Sequence, residues 1–173
     1  MTTRFYVDAE GAYLGGFDGA APPQGAVEVG APPADGRQKW NGEEWSAPPA
    51  TSKDVGAERA RRTGLGYRHN FGGSAGIRTL DSRDDSDAIN WLGLKNIADR
   101  LIADGQGETL LSVRDANDET FQSSAATISA ALLSMAEWRG AILAAAWALK
   151  DQVKAGTFDG SRADIARDEY WPG

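Results

Sequence analysis

Cysteine is absent from the 173-residue sequence, and histidine occurs once, as His69. Without cysteine there can be no disulfide, no thiolate nucleophile and no metal site with cysteine ligands. A serine–histidine–aspartate triad would have to use His69, and no Gly-x-Ser-x-Gly sequence accompanies it. We therefore expect a protein that is not an enzyme, with no catalytic residue, no cofactor and no bound transition metal.

Basic residues are outnumbered, because 18 lysines and arginines stand against 25 aspartates and glutamates, for a formal net charge of -7. Binding to nucleic-acid phosphates or to an anionic membrane needs clustered basic side chains, so neither partner is expected. No uninterrupted run of about 18 apolar residues is present to span a bilayer, and Met1–Phe5 lacks the apolar segment of a signal peptide. We expect a chain that is synthesised and folded in the cytoplasm.

Short strands and turns are predicted before Ser46, where the composition changes. Arg4–Val7 and Ala12–Leu14 flank the acidic turn Asp8–Gly11, whose glycine can adopt the positive φ of a tight reversal. This pattern predicts a β-hairpin. Ala26–Val29 alternates like a third strand, and the proline pairs on either side of it disfavour helix.

A second hairpin is predicted around Asn41-Gly42. This dipeptide suits a type I′ turn, in which both central residues have positive φ. Trp40 and Trp45 would then face each other, either as a local core or as a surface for a partner. A module of about 45 residues buries too little apolar surface for much stability of its own. We interpret residues 1–46 as an attachment module held by a neighbour.

The remaining chain divides into three predicted parts. Residues 47–76 are rich in proline, glycine and small polar residues, which predicts a linker in which residues 56–62 could form a helical turn or two. Residues 77–156 are predicted to form a β-α-β-β-α domain, and residues 157–173 a short helix and an arm that docks on a neighbour. Strands are predicted at 77–80, 109–114 and 119–122, and helices at 89–102 and 124–154.

The predicted fold class is therefore α+β. It combines a small N-terminal β-hairpin module, a proline-rich linker and a β-α-β-β-α domain with a long C-terminal helix. Within that domain we expect one small antiparallel sheet, with two helices covering one of its faces.

The long helix carries two apolar stripes. The first follows the alternating four-and-three spacing of a helix that packs along another helix: Ile128, Leu132, Met135, Arg139, Ile142, Ala146, Leu149 and Val153. The second consists of Leu133, Ala136, Gly140, Leu143 and Trp147. A small sheet covers one stripe, so the other is covered either by the first helix or by another copy in a homo-oligomer. Arg139 would set the register of copies or pair with a carboxylate; the alternative is that it reaches solvent along an exposed edge.

Three polar segments resemble ligand sites, and each has a simpler interpretation. The acidic run Asp81–Asp87 lacks the order of an EF-hand and is interpreted as a helix cap. Asp115, Asn117 and Glu119 alternate like calcium ligands, but the glycine of a calcium loop is missing, which favours a hairpin turn. Gly72–Gly76 lacks the Lys-Ser/Thr pair of a phosphate loop and is interpreted as an ordinary loop.

Aromatic residues are the candidates for partner contacts. The chain has six tryptophans, and several aromatic residues lie in segments with few other apolar residues. Exposed aromatic side chains in such surroundings are typical of contacts with proteins or glycans. We predict partner binding by Phe5, Tyr6, Trp40, Trp45 and Trp171.

Two stretches resemble proteins of bacteriophage tails. Residues 5–29 and the Trp40–Trp45 hairpin are similar to the N-terminal modules of tail-fibre-associated and tail-fibre-assembly proteins. Residues 77–154 resemble an uncharacterised family of phage tail proteins. The shared features are an Arg-Asp-Ala-Asn hairpin at 114–117, a Ser/Thr-rich segment at 123–129 and a closing alanine-rich helix.

The resemblance implies a virion structural protein of the tail tip, the baseplate or the tail-fibre attachment. Its partners would be other tail proteins and further copies of itself, as a trimer or a higher oligomer. The alternatives are a tail-fibre assembly chaperone and a tail-associated glycan-binding or hydrolytic protein. The C-terminal region of a fibre-assembly chaperone is not recognisable here, which favours a subunit that stays in the virion. The resemblance carries over no catalytic, cofactor or metal residue.

Overall fold

The computed structural model describes residues 2–83 and 85–172, and its fold combines helices with small antiparallel sheets. The strands are β1 Arg4–Val7, β2 Tyr13–Phe17, β3 Val27–Val29, β4 Tyr67–Asn70, β5 Ile77–Leu80, β6 Leu110–Arg114 and β7 Thr120–Ser124. The helices are α1 Ser52–Gly64, α2 Asp85–Ala103 and α3 Ala125–Ala155, followed by short 3₁₀-helices at Arg162–Ala166 and Asp168–Tyr170. The predicted α+β class, the N-terminal hairpin and the long C-terminal helix are confirmed.

The N-terminal module is a three-stranded antiparallel sheet in which β1 lies between β2 and β3. Its first turn contains Gly11, which has a φ of +78°. The Gly11 carbonyl accepts a hydrogen bond from the Trp40 N–H at 2.8 Å, and a β-carbon on Gly11 would lie 2.1 Å from the Trp40 carbonyl oxygen. Glycine is therefore required here both by the turn and by the close approach of the second hairpin.

The second hairpin has a wider loop than the Asn-Gly dipeptide predicts. Trp40 pairs with Trp45, so the loop contains all the residues between them. The Asn41 side chain accepts hydrogen bonds from two backbone N–H groups of this loop, both at 2.9 Å. Gly42 has a positive φ, whereas Asn41 does not. The predicted type I′ turn is wrong, because the Asn41 side chain closes a longer loop instead.

Secondary structure occupies much of the stretch whose composition predicts a linker. Thr51 and Asp54 form a capping box at the start of α1: the Thr51 hydroxyl accepts from the Asp54 N–H at 3.2 Å, and the Asp54 carboxylate accepts from the Thr51 N–H at 2.9 Å. Val55, in the first turn, is 0% exposed. The prolines end before this cap, so they leave the helix intact. The linker prediction is wrong for this helix and for β4.

The proline segment contacts the C-terminal tail of the same chain. The Pro48 carbonyl accepts a hydrogen bond from the Arg162 N–H at 2.8 Å, and Pro49 pairs with Ser161. The tail itself packs on α1 and α3 of the same chain, which differs from the predicted arm that docks on a neighbour. The proline segment therefore pairs with the tail and connects the start of the domain to its end.

Two separate hairpins, β4–β5 and β6–β7, replace the single predicted sheet. β5 pairs with β4, a strand of the Gly-rich stretch that has no apolar alternation in sequence. Gly72–Gly76 form the loop between these strands, and the Phe71 N–H donates to the Gly76 carbonyl across it at 2.8 Å. The two hairpins meet where the Ala116 N–H donates to the Thr79 carbonyl at 2.8 Å.

Helix α3 is the element on which the rest of the domain packs. Its N-terminal half contacts α2 and the two hairpins, and its C-terminal half contacts α1 and the tail. Two hydrophobic cores result. The first contains Phe71, Leu80, Ala98, Val113, Phe121, Ala125, Ile128, Ala131, Leu132 and Met135. The second contains Ala50, Val55, Ile142, Ala146, Leu149, Ile165 and Trp171.

The first predicted stripe of α3 lies in these cores. Ile128 and Ile142 are 1% exposed, Met135 and Leu149 are 3% exposed, and Leu132 is 5% exposed. Full burial of such a side chain contributes about 1.5–3 kcal/mol to stability. This side of α3 therefore accounts for a large part of the apolar burial that holds the domain together.

Replacing Met135 with alanine should lower the free energy of unfolding by about 2–5 kcal/mol, because the change leaves a cavity in the first core. Leu133→Ala, two residues away on the exposed side of α3, should change it by about 0.5 kcal/mol or less. Urea denaturation of both variants at low protein concentration measures the difference. Equal costs for the two variants would contradict the packing described for α3.

A buried ion pair joins the two hairpins. Asp115 has a side chain that is 1% exposed, and one carboxylate oxygen lies 3.0 Å from the Arg78 guanidinium. The other oxygen accepts hydrogen bonds from the Asn117 and Glu119 N–H groups at 2.9 and 3.0 Å. Burial raises the pKa of Asp115, but the N–H groups and the arginine outweigh it, so this pKa lies below its ordinary value of 3.8.

Asp115→Asn should lower the free energy of unfolding at neutral pH by about 1.5–3 kcal/mol, the range for a hydrogen bond to a charged group. A carboxylate whose pKa is lowered by folding stabilises the fold above its ordinary pKa, and this contribution is lost as the pH falls through the lowered value. The difference from wild type should therefore shrink as the pH falls below 3.8. Urea denaturation across this pH range tests the prediction. The exposed Glu108→Gln is the control, and a difference that persists in acid would contradict the prediction.

Candidate functional site

The candidate site is the solvent-facing surface of α2 and α3. Helix α3 begins after Ser124, whose hydroxyl accepts the Thr127 N–H at 3.3 Å, and ends before Gly156, which has a φ of +69°. Serine is a favoured residue at the N-cap of a helix, and glycine is favoured just after the last turn. Between them α3 runs for 31 residues. One side of this length covers both cores, and the other side faces solvent.

Large apolar side chains are exposed on this surface. On α3, Leu133 is 51% and Trp147 is 59% exposed; on α2, Ile89 is 69% and Leu92 is 59% exposed. Large exposed apolar patches are typical of interaction surfaces, whereas single exposed apolar side chains are common on any protein. The α3 residues belong to the second predicted stripe, and neither α1 nor α2 covers them.

A groove of about 290 Å³ runs between α2 and α3. Apolar residues of both helices line it: Ala88, Trp91, Leu92, Leu132, Met135 and Ala136. The Trp91 indole N–H donates to the Asp81 carbonyl at 2.7 Å, which fixes the start of α2. Farther along α2, the Asp99 carboxylate accepts a hydrogen bond from the Ser129 hydroxyl of α3. The Asp99–Ser129 contact joins the two helices that form the walls of the groove.

Arg139 lies on α3 between the residues of the first core and those of the second. Its guanidinium donates to the Ser82 hydroxyl at 2.7 Å, and Ser82 is 2% exposed. This hydrogen bond to a buried hydroxyl ties α3 to the segment before α2.

Four of the five aromatic residues predicted to bind a partner lie in the N-terminal module. Phe5 and Tyr6 lie on β1, and Tyr6 packs edge-on against Phe17 with ring centroids 5.5 Å apart. Trp40 and Trp45 pack on each other with ring centroids 5.4 Å apart. All four are half-buried. Each keeps part of its surface accessible, so a partner contact there stays a prediction.

Trp171, the fifth predicted partner residue, lies in the second core of its own chain. It is 6% exposed, and its indole N–H donates to the Ile165 carbonyl at 2.7 Å. The Arg62 guanidinium lies 5.3 Å from the centre of the ring. The prediction is wrong for Trp171, because the tail folds back on α1 and α3 and removes this ring from the surface.

His69 lies on β4 between two aromatic rings, with centroids 5.9 Å away at Tyr67 and 4.9 Å away at Phe71. Among the described residues, no group of three histidine, aspartate or glutamate side chains is placed to hold a metal ion. The histidine thus packs as part of an aromatic row on one strand.

An arginine forms ion pairs with the acidic run at the start of α2. Arg83 forms ion pairs with Asp81 at 2.6 Å and with Asp87 at 3.4 Å. Asp84, which belongs to the same predicted run, lies outside the described residues. These pairs are consistent with the interpretation of the run as the start of a helix.

Of the described helices, α3 is long and apolar enough to cross a membrane by length and composition alone. The core helix of a soluble protein can satisfy the same criteria, and 28% of the relevant window is buried within this fold. The buried side of α3 supplies residues to both hydrophobic cores, so the helix is an integral part of the domain. The expectation that no membrane is bound stays a prediction.

Residues 46–169 match a sequence family described as a domain of unknown function, DUF4376. The match covers more than half of the chain. The chain belongs to this family. No curated protein and no solved structure matches it. The DUF4376 match begins where the composition changes at Ser46, includes α1, α2 and α3, and leaves the N-terminal sheet outside.

The sequence did not predict that α2 contributes to the exposed apolar surface of this DUF4376 protein. The helical spacing of its apolar residues predicts that α2 packs in a core. In the structure, four of these residues are exposed: Ile89, Leu92, Ile97 and Ile102. The available signal was their distribution around the helix, since apolar residues on all sides of a helix exceed what one neighbour can cover.

Two tryptophan substitutions distinguish core from surface in the DUF4376 domain. Trp171→Ala should lower the free energy of unfolding by about 3–5 kcal/mol, because it empties a buried site in the second core. Trp147→Ala removes the same side chain from the exposed side of α3 and should cost about 1 kcal/mol or less. Urea denaturation at low protein concentration, followed by far-UV circular dichroism, measures both. A Trp147→Ala variant as unstable as Trp171→Ala would show that this face is covered within the chain.

Proposed function

We propose that this DUF4376 protein is a structural subunit of a bacteriophage tail, at the tail tip, the baseplate or the tail-fibre attachment. It acts through protein–protein contacts and without catalysis. The observation that carries the proposal is the exposed apolar surface of α2 and α3. Leu133, Trp147, Ile89 and Leu92 contribute to it, each with more than half of its surface exposed.

A protein partner would bury these side chains with a gain in free energy. Burial of one large apolar side chain contributes about 1.5–3 kcal/mol. Association costs about 4–15 kcal/mol in lost freedom of motion. Four such side chains on neighbouring helices therefore offset a substantial part of that cost, before any contribution from the groove between the helices.

The N-terminal module offers a second contact. Its buried apolar residues include Val7 and Val29, whereas Leu14 and Val27 are exposed. The module lies outside the DUF4376 match. A subunit with one contact surface on each part can join two neighbours, which an attachment protein in a tail has to do.

The phage context rests on the resemblance of the two segments described above to proteins of phage tails. The net charge of -7 fits a contact with protein better than one with packaged DNA, because binding to phosphates requires a basic surface. In this proposal the protein is a component of the virion, and its partners are other tail proteins and further copies of itself.

Quantitative mass spectrometry of purified virions from the phage or prophage that encodes this chain tests the proposal. A structural subunit should be present in a fixed ratio to the other tail proteins, because each assembled tail retains its copies. The major capsid protein is the positive control, and a phage replication protein made in the same cells is the negative control. Absence from virions, or traces below one copy per tail, would contradict the proposal and support a tail-fibre assembly chaperone.

A further inference from the structure

One line of residues along α3, here called the outer seam, is exposed from end to end. Its positions repeat at alternating steps of four and three, the spacing of a helix that pairs with another helix. The seam extends about 38 Å along the helix at ~1.5 Å per residue. It consists of Ala126, Ala130, Leu133, Glu137, Gly140, Ala144, Trp147 and Asp151, all of them exposed.

The outer seam is complementary in size to itself when a second copy runs in the opposite direction. In an antiparallel pair, each seam position of one helix lies opposite a position from the other half of its partner. Each layer then combines a larger side chain with a small one. The layers are Leu133 opposite Ala144, Trp147 opposite Ala130, Glu137 opposite Gly140, and Asp151 opposite Ala126.

A parallel pair would lose this complementarity. It would place Trp147 opposite Trp147 and Gly140 opposite Gly140, so that overfilled and empty layers would alternate. Both are unfavourable, because protein interiors pack without voids and respond to overfilling with strain. The antiparallel pair also brings the positive N-terminal end of each helix close to the negative C-terminal end of the other.

We propose that a second copy of this chain occupies the outer seam, and that two α3 helices form the antiparallel interface of a symmetric homodimer. This inference rests on the proposed function, since it names the partner of the same surface. It replaces the trimer or higher oligomer implied by the resemblance with a two-fold dimer as the unit of assembly. Glu137 lies opposite the partner's glycine, where the missing side chain leaves room for the carboxylate to turn toward water.

Gly140 allows the dimer to be disrupted without harm to the fold. A β-carbon built on Gly140 has no other atom within 4 Å, and the same holds for Gly93 on α2. Leucine is also a better helix former than glycine. Gly140→Leu therefore leaves the folded chain intact and fills the space that Glu137 of the second copy needs. Gly93→Leu makes the same change on another helix and is the matched control.

Sedimentation equilibrium of the full chain measures the pairing. Wild type and Gly93→Leu should form a species with about twice the chain mass of 18.4 kDa at micromolar concentration. Gly140→Leu should weaken dimerisation by at least about tenfold, with its far-UV circular dichroism spectrum and its thermal unfolding as a monomer undiminished. A wild type that stays monomeric would overturn the proposal, and so would a Gly140→Leu dimer as tight as wild type.

Cross-linking tests the direction of the helices, and the absence of native cysteine makes it free of background. Differently tagged Leu133→Cys and Ala144→Cys chains should form a mixed disulfide when oxidised together. Leu133→Cys alone should not cross-link to itself, because positions 133 and 144 lie about 16 Å apart along a helix. A disulfide needs Cα atoms about 4.4–6.8 Å apart. Self-linked Leu133→Cys at a yield equal to the mixed pair would show a parallel dimer and overturn the proposal.

These results can be separated from the test of the proposed function. A chain that is monomeric in solution but present in virions at a fixed ratio would overturn the dimer and leave the structural role standing. A chain that forms the antiparallel dimer but is absent from virions would support the pairing and overturn the structural role.

Discussion

The burial of one side of α3 is the interaction on which the other parts of the domain depend. Ile128 and Met135 close the first core against α2 and the two hairpins, and Ile142 and Leu149 close the second against α1 and the tail. Because one continuous helix supplies both cores, the position of each neighbouring element is defined relative to α3. The alanines between the large side chains let these neighbours approach the helix closely.

Hydrogen bonds and ion pairs between polar side chains join these elements where they meet. Arg139 donates to the buried hydroxyl of Ser82 between the two cores, and Arg78 pairs with the buried Asp115 between the two hairpins. A buried polar group without a partner is costly, so each of these contacts penalises arrangements in which the elements shift. The apolar cores provide the stability, and the polar contacts select one arrangement of helices and hairpins.

The same geometry produces the candidate site. A helix that packs on one side only has an outer side whose residues contribute little to the folding of a single chain. On α3 that side carries Leu133 and Trp147 among alanines, a glycine and the acidic residues Glu137 and Asp151. Apolar residues in such positions gain free energy only when another surface covers them. This exposed side is the basis of both proposals, the assembly role and the pairing with a second copy of the helix.

Local signals in the sequence were enough to predict α2, α3, the N-terminal hairpin and the strands β6 and β7. Each of these has apolar periodicity, a cap or a turn within a few residues, as Ser124 and Gly156 show for α3. The helix α1 and the strand β4 were missed, because prolines and glycines nearby hid the Thr51 cap and β4 has no apolar alternation.

The periodicity of α3 defined its stripes, but each stripe was equally suited to a neighbour in the chain or to a second copy. Which stripe stays exposed, and that Trp171 is buried, depends on where distant segments pack. Only the tertiary structure decided this, because contacts between residues far apart in the chain leave no pattern in the local sequence.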